Sequence, residues 1–283
     1  MDLKLNDILN LSQDELKNSK IELNMTAGSG AESFMIRWLK TDKAKRESGI
    51  TDCSYWGWYG KTRNFYPNQL VFSFIKIGYD EWLLISAAKI IDIPANSRAN
   101  VEILERFKAL FGRLIIKYHK GNTYQRYVFK LKNVIDNCIV SQILPCMFDG
   151  EDFNGYDNVH IEYTLLKSVF DGKIMPTYYK ALEKVTGIYC LTDKKTGKLY
   201  IGSATGIGGV KQRWGNYLNS QHGGNKKLIE LYNKQGEKYF IDNFTFTLIE
   251  YFGMSYDTEK ILERERYWKK VFNSVDCGYN DNY

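Results

Sequence analysis

Two short runs of branched and aromatic residues, Thr186–Thr192 and Lys198–Ile201, flank Asp193-Lys-Lys-Thr-Gly197. A gap that short, ending in glycine, leaves little but an antiparallel hairpin. The residues after this hairpin narrow the fold further. Over residues 209–219, Val210, Trp214, Tyr217 and Leu218 recur at helical spacing and give one apolar face. Asn225–Lys234 reads as a second helix, with Leu228, Leu231 and Tyr232 inward, and Phe244, Phe246 and Leu248 alternate as a third strand. A last helix covers 257–272. The order β-β-α-α-β-α over 184–283 makes a compact α/β module.

The pattern before about Pro176 is different. Gln69–Ile77 and Glu81–Ile93 are strand-like and separated by Gly-Tyr-Asp, and Arg113–Tyr118 and Tyr124–Leu131 flank His-Lys-Gly-Asn as a second expected hairpin. Val159–Tyr163 alternates. Helices are expected at Asn6–Lys17, where Ser12-x-x-Glu15 spells a capping box, and at Asn100–Phe111. Residues 1–180 therefore read as a β-rich domain, with a partly closed barrel as the expected shape, and the whole chain as α+β.

Composition excludes several classes. Hydrophobic residues are 44% and charged residues 25%, ordinary for a globular chain. No apolar run has the length of a membrane span, and the N-terminus lacks the charge-then-apolar order of a signal peptide, so the expected location is the cytoplasm. Five scattered cysteines without a C-x-x-C pair argue against both a disulfide framework and a zinc site; reduced, mostly buried thiols are expected. The net charge of +6 suits a nucleic-acid partner without demonstrating one.

The last helix carries an anomaly. Ile261, Trp268 and Phe272 form its apolar stripe, and the position continuing that stripe is Glu265. A carboxylate there must be paired, hydrogen-bonded or used to hold a cation, because burying it unpaired costs several kcal/mol. A salt bridge to an arginine is the plain structural alternative. Gly187-Ile188-Tyr189 on the first hairpin strand and Tyr200-Ile201-Gly202 on the second stand ten residues apart. With Arg213 in the first helix, Glu265 in Glu-Arg-Tyr-Trp and Asn280 in Gly-Tyr-Asn, residues 184–283 resemble the GIY-YIG nuclease family.

That resemblance implies a metal-dependent DNA endonuclease. In the family the first tyrosine, here Tyr189, activates or positions the attacking water, with Tyr200 beside it. A phenol does the former only if a cation lowers its pKa, and Arg213 would supply one while matching phosphate oxygens. Glu265 would hold Mg²⁺ or Mn²⁺, and Asn280 would bind the phosphate region or fix the active-site backbone. Tyr217, one turn beyond Arg213, is either a further site residue or a core tyrosine. His222 is either a phosphate contact or acid, or a loop histidine packing a helix start. The repair branch often has lysine where this chain has Ser203; Lys211 or Lys198 would compensate.

The first domain has no catalytic motif. Its most suggestive stretch, Tyr55-Trp-Gly-Trp-Tyr-Gly60 with Lys61 and Arg63, interleaves rings with bases. Trp56, Trp58, Tyr59, Lys61 and Arg63 are thus candidates to stack on nucleobases or to form a base pocket, against the plainer reading of a packed aromatic core. The expected partner is double-stranded DNA, selected by residues 1–180 and cut by 184–283 in a restriction-type or phage-defence enzyme. The alternatives are a structure-specific repair or homing nuclease, and a non-catalytic DNA-binding protein on a relic fold. One module cuts one strand at a time, so a double-strand break calls for a homodimer or two successive events.

Overall fold

The computed structural model describes residues 2–26, 32–54, 56–59, 62–121 and 127–283; at 57–59 and 62–63 it describes the backbone alone. The chain divides into two compact units, Met1–Phe148 and Asp149–Tyr283. The boundary expected near 180 thus falls some thirty residues earlier. The reason is strand pairing: His160–Glu162 lies antiparallel to Phe244–Gly253, with Ile161 opposite Phe246.

The first unit is built on a seven-stranded mixed sheet. Leu70–Gly78 and Glu81–Asp92 form the expected hairpin, turning through Asp80 at φ +55°. Ser19–Asn24 pairs parallel with Leu70–Gly78, and Val128–Lys130 closes that side. On the other side Leu114–Lys117 pairs with Glu81–Asp92 and with Ile139–Ile143. Among the described residues the sheet is open, not a barrel. The second expected hairpin is also corrected, because Leu114–Lys117 and Val128–Lys130 lie far apart in the strand order. Asn100–Phe111 is not one helix but a strand, Asn100–Ile103, followed by a 3₁₀ turn, Glu105–Leu110; Val101 and Ile103 pack on the sheet. Asn6–Lys17 is two short helices, Leu5–Leu9 and Gln13–Lys17, the second carrying the Ser12–Glu15 capping box.

The second unit is a four-stranded antiparallel sheet in the order His160–Glu162, Phe244–Gly253, Val185–Asp193, Leu199–Ala204. Gly209–Ser220 (the arginine helix) covers one face through Trp214 and Tyr217, both fully buried. Tyr163–Phe170 packs there too, its Tyr163 hydroxyl donating to the Leu218 carbonyl at 3.1 Å. Thr258–Val271 (the glutamate helix) covers the other face, where Ile261 joins Ile188, Cys190 and Ile201. Two further helices, Pro176–Leu182 and Glu237–Asn243, were not evident from periodicity. Among the described residues no helix is long and apolar enough to cross a membrane. The cysteines are free: Cys53, Cys138 and Cys190 buried, Cys146 and Cys277 exposed.

Candidate functional site

The hairpin register brings the two tripeptides together. Tyr189 stands opposite Gly202 and Leu191 opposite Tyr200, so the tyrosines share one face. Each glycine has a steric reason. A Cβ on Gly202 would occupy the place of the Tyr189 hydroxyl, and one on Gly187 would collide with the Glu250 carbonyl of the neighbouring strand. The Tyr189 and Tyr200 ring centroids are 6.4 Å apart, and Tyr217 from the arginine helix lies 5.9 and 6.0 Å from them.

Arg213 is clamped by this cluster. Its Nε donates to the Tyr189 hydroxyl at 2.9 Å, Nη2 to the Tyr217 hydroxyl at 3.2 Å and Nη1 to the Gly223 carbonyl at 3.4 Å. The two phenol oxygens are 3.1 Å apart. A guanidinium has five N–H groups, so two remain for a ligand. They belong to a side chain lining a cleft of about 310 Å³, together with Ser203, Thr205, Gln212 and Asn216.

The electrostatics correct one expectation. Burial pushes the Tyr189 phenol well above its usual range, and the nearby Arg213 charge does not reverse this. Tyr217 is shifted the same way, again by burial. Both are neutral phenols with no exposed surface, so the phenolate needed for water activation does not follow at Tyr189. Both hydroxyls accept from Arg213, and Tyr217 is at the same time a buried core residue. Tyr200 is 8% exposed, and its hydroxyl has no protein partner among the described residues.

Glu265 stands on the opposite face of the sheet, reached through Ser203. The Ser203 hydroxyl donates to Glu265 Oε2, and Lys269, one turn along the helix, places Nζ 2.8 Å from Oε1. The neighbourhood expected to be apolar thus contains a lysine. Among the described residues no arginine pairs with Glu265, and Arg264 is committed to Glu250 at 2.9 Å. Nor is any group of three or more acidic, histidine or cysteine side chains among the described residues placed to hold a metal ion. Glu265 fits a lightly held ion, one hard carboxylate supplemented by water and phosphate oxygens, which is the usual habit of Mg²⁺.

Asn280 acts on the backbone. Its Oδ1 accepts from Ile201 N at 2.8 Å and its Nδ2 donates to Ile201 O at 2.7 Å, so the amide mimics one more strand on the sheet edge. The remaining candidates are more dispersed. Lys211 pairs with Glu183 at 2.8 Å and covers the Tyr179 ring, while Lys198 sits over Tyr279. Neither lines the cleft, so the missing lysine at Ser203 has no direct replacement there. His222 accepts from Gly224 N through Nδ1 at 3.0 Å and packs edge-on against Tyr232, the loop role.

Trp56 is corrected outright. It is 5% exposed, among Phe65, Val71 and Ile90, with its indole N–H donating to Ser73 Oγ at 2.7 Å, so no ring face is open to a base. Lys61 and the side chains of Trp58, Tyr59 and Arg63 lie outside the described residues.

Sequence reasoning missed Lys269 and the cleft residues Gln212 and Asn216. Lys269 was legible in principle, standing four residues after a glutamate on a helix.

Residues 185–280 match the GIY-YIG catalytic domain family. Over 98 residues the chain is 31% identical to "Intron-associated endonuclease 1" of Enterobacteria phage T4, covering 34% of this chain and 36% of that protein's length. It is also similar to solved structures of the catalytic domain of the homing endonuclease I-TevI, at 28% identity, 34% of this chain, 96% of the other and a TM-score of 0.28. A second such structure, of a single-residue variant, gives 29% identity and the same TM-score. On the family match alone, residues 185–280 of the second unit are a GIY-YIG catalytic domain.

Proposed function

We infer that the protein is a metal-dependent DNA endonuclease of restriction or phage-defence type, in which the first unit selects double-stranded DNA and the second cuts it. The observation that carries the nuclease reading is Arg213: a guanidinium fixed by two neutral phenols and a carbonyl, with two N–H groups left over at a polar cleft. Such a fork fits two phosphate oxygens and stabilises the charge that grows on them during hydrolysis. Being held beforehand, it needs no reorganisation when the phosphate arrives. On this reading Tyr200, whose hydroxyl has no partner among the described residues, is the tyrosine that would touch the attacking water or the phosphate. Glu265 would hold Mg²⁺ or Mn²⁺, which supplies Lewis-acid activation of the phosphodiester. Ser203 sets the carboxylate against the cleft wall.

The restriction or defence role rests on organisation. The matched domain lies wholly in the second unit, leaving a separate β-rich unit for selection. A mobile-element role is the second reading, favoured by the name of the phage relative; that likeness is confined to about a third of each chain.

The test is cleavage of plasmid and phage DNA, unmodified and variously modified, with Mg²⁺ or Mn²⁺. Arg213→Ala should lose nicking by about two to three orders of magnitude, as for removal of a charge-stabilising donor. Tyr189→Phe should lose less, because Tyr217 and Gly223 still hold the guanidinium. Glu265→Gln should bind DNA without cutting it, and wild-type cutting by that variant would remove Glu265 from the site.

A further inference from the structure

Glu265 reaches its cation-holding position with both oxygens already taken, and the two partners are unlike. Ser203 is fixed by the backbone of an edge strand whose neighbouring Ile201 is locked by Asn280. Lys269 is a compact charge on a flexible four-carbon stem, able to withdraw without disturbing the helix. The pair is shielded, with side-chain exposures of 10% for Lys269 and 15% for Glu265, so water screens it poorly. Arg264 is engaged with Glu250, and Arg266 is exposed on another side of the helix, so Lys269 is the charge that neutralises Glu265.

We propose that Lys269 is a resident counter-cation, holding the Glu265 carboxylate oriented until a divalent ion displaces it from Oε1. The ammonium and the ion compete for one oxygen, so metal affinity in the absence of DNA is low by design of the site. The role of Lys269 is positioning: it places the carboxylate through the ion pair and leaves when the metal enters. Ser203 keeps the other oxygen throughout, so the carboxylate does not swing during the exchange. This rests on the reading of Glu265 as the metal ligand.

The experiment measures Mn²⁺ binding to the full chain without DNA, by electron paramagnetic resonance of the free ion, at a temperature where circular dichroism shows every variant folded. Removing the competitor in Lys269→Met should tighten Mn²⁺ binding by roughly tenfold. Lys269→Gln keeps a donor for Glu265 without the charge and should show the same direction, covering the case in which the methionine variant fails to fold. Lys270→Met removes an equal charge from an exposed neighbouring position and should change affinity by less than about twofold, separating direct competition from a change in net charge. Glu265→Gln should abolish the site. Unchanged or weaker binding in the folded Lys269 variants, with wild type binding normally, overturns the counter-cation alone. Equal tightening by Lys270→Met overturns it as well. No Glu265-dependent binding even at millimolar Mn²⁺ overturns the metal reading, and this proposal with it.

Discussion

Asn280 offers a clean separation between a residue that builds the site and one that touches substrate. Its amide satisfies both backbone groups of Ile201, and the two residues are 2% and 0% exposed. Asn280→Ala therefore leaves a buried N–H and a buried C=O without partners, at about 1–3 kcal/mol each. Some relaxation toward water at the sheet edge brings the expected total to roughly 3 kcal/mol. For a unit of this size the melting temperature should then fall by about 10 °C. The loss should show at one place first: the Ile201 amide, protected in wild type, should exchange its hydrogen orders of magnitude faster. Nicking should be lowered in proportion, because Tyr200 and Gly202 flank Ile201 on the same strand. Calorimetry of both proteins, amide exchange resolved to Ile201 and a nicking assay well below either melt make the test. A variant with wild-type melting and an unchanged Ile201 amide that no longer cuts would refute the argument and return Asn280 to the phosphate.

The same geometry gives three further expected outcomes. Gly202→Ala should cost about 1–3 kcal/mol and most of the nicking, since the new methyl takes the place of the Tyr189 hydroxyl; unchanged melting and cutting would show that the close approach is not there. A fragment of residues 149–283 should melt cooperatively, whereas 184–283 should not, having lost His160–Glu162 and the buried Tyr163, Leu166 and Val169; equal melts would place the boundary back near 180. Asp193 is one pH-sensitive element: burial raises its pKa, but hydroxyls from Tyr279, Thr196 and Tyr239 outweigh this and hold it below the usual carboxylate value. A depressed folded-state pKa stabilises above the unfolded value near 4 and is lost as the pH falls below it. Urea unfolding should thus show a loss of stability on acidification from pH 5 to 3 (roughly the span of that titration) that Asp193→Asn reduces.

The second unit was legible because its signals are local and agree with one another. A turn-closed hairpin, a one-sided helix and a glutamate on an apolar stripe each restrict the fold, and together they admit little else. What sequence spacing did not contain was which side of the sheet each residue serves. Tyr189 and Glu265 share a motif but not a face: Tyr189 meets Arg213 on one side of the sheet, and Glu265 meets Ser203 on the other. Nor did spacing show that Tyr189 is fully buried. That burial raises its pKa more than the adjacent arginine lowers it. The misplaced domain boundary has the same origin: the alternation of Val159–Tyr163 marks a strand, but the unit it joins is decided by its partner eighty-odd residues later.

Trp56 shows why the first unit resisted the same reading. A tryptophan among tyrosines and bases looks like a stacking platform when viewed along the chain. Viewed across the sheet, it answers a different need. Glu22, Ser73 and Ser86 stand opposite one another on three adjacent strands, and all three are buried. Ser73 Oγ donates to Glu22 Oε2 at 2.6 Å, and the Trp56 indole in turn donates to Ser73 Oγ at 2.7 Å. A buried carboxylate favours such a donor chain, because each polar group left without a partner in a buried site costs free energy. The polar residues within otherwise apolar strands were therefore the informative signal. Ser73 in Val-Phe-Ser-Phe-Ile required a buried partner, and Trp56 is the residue that meets it.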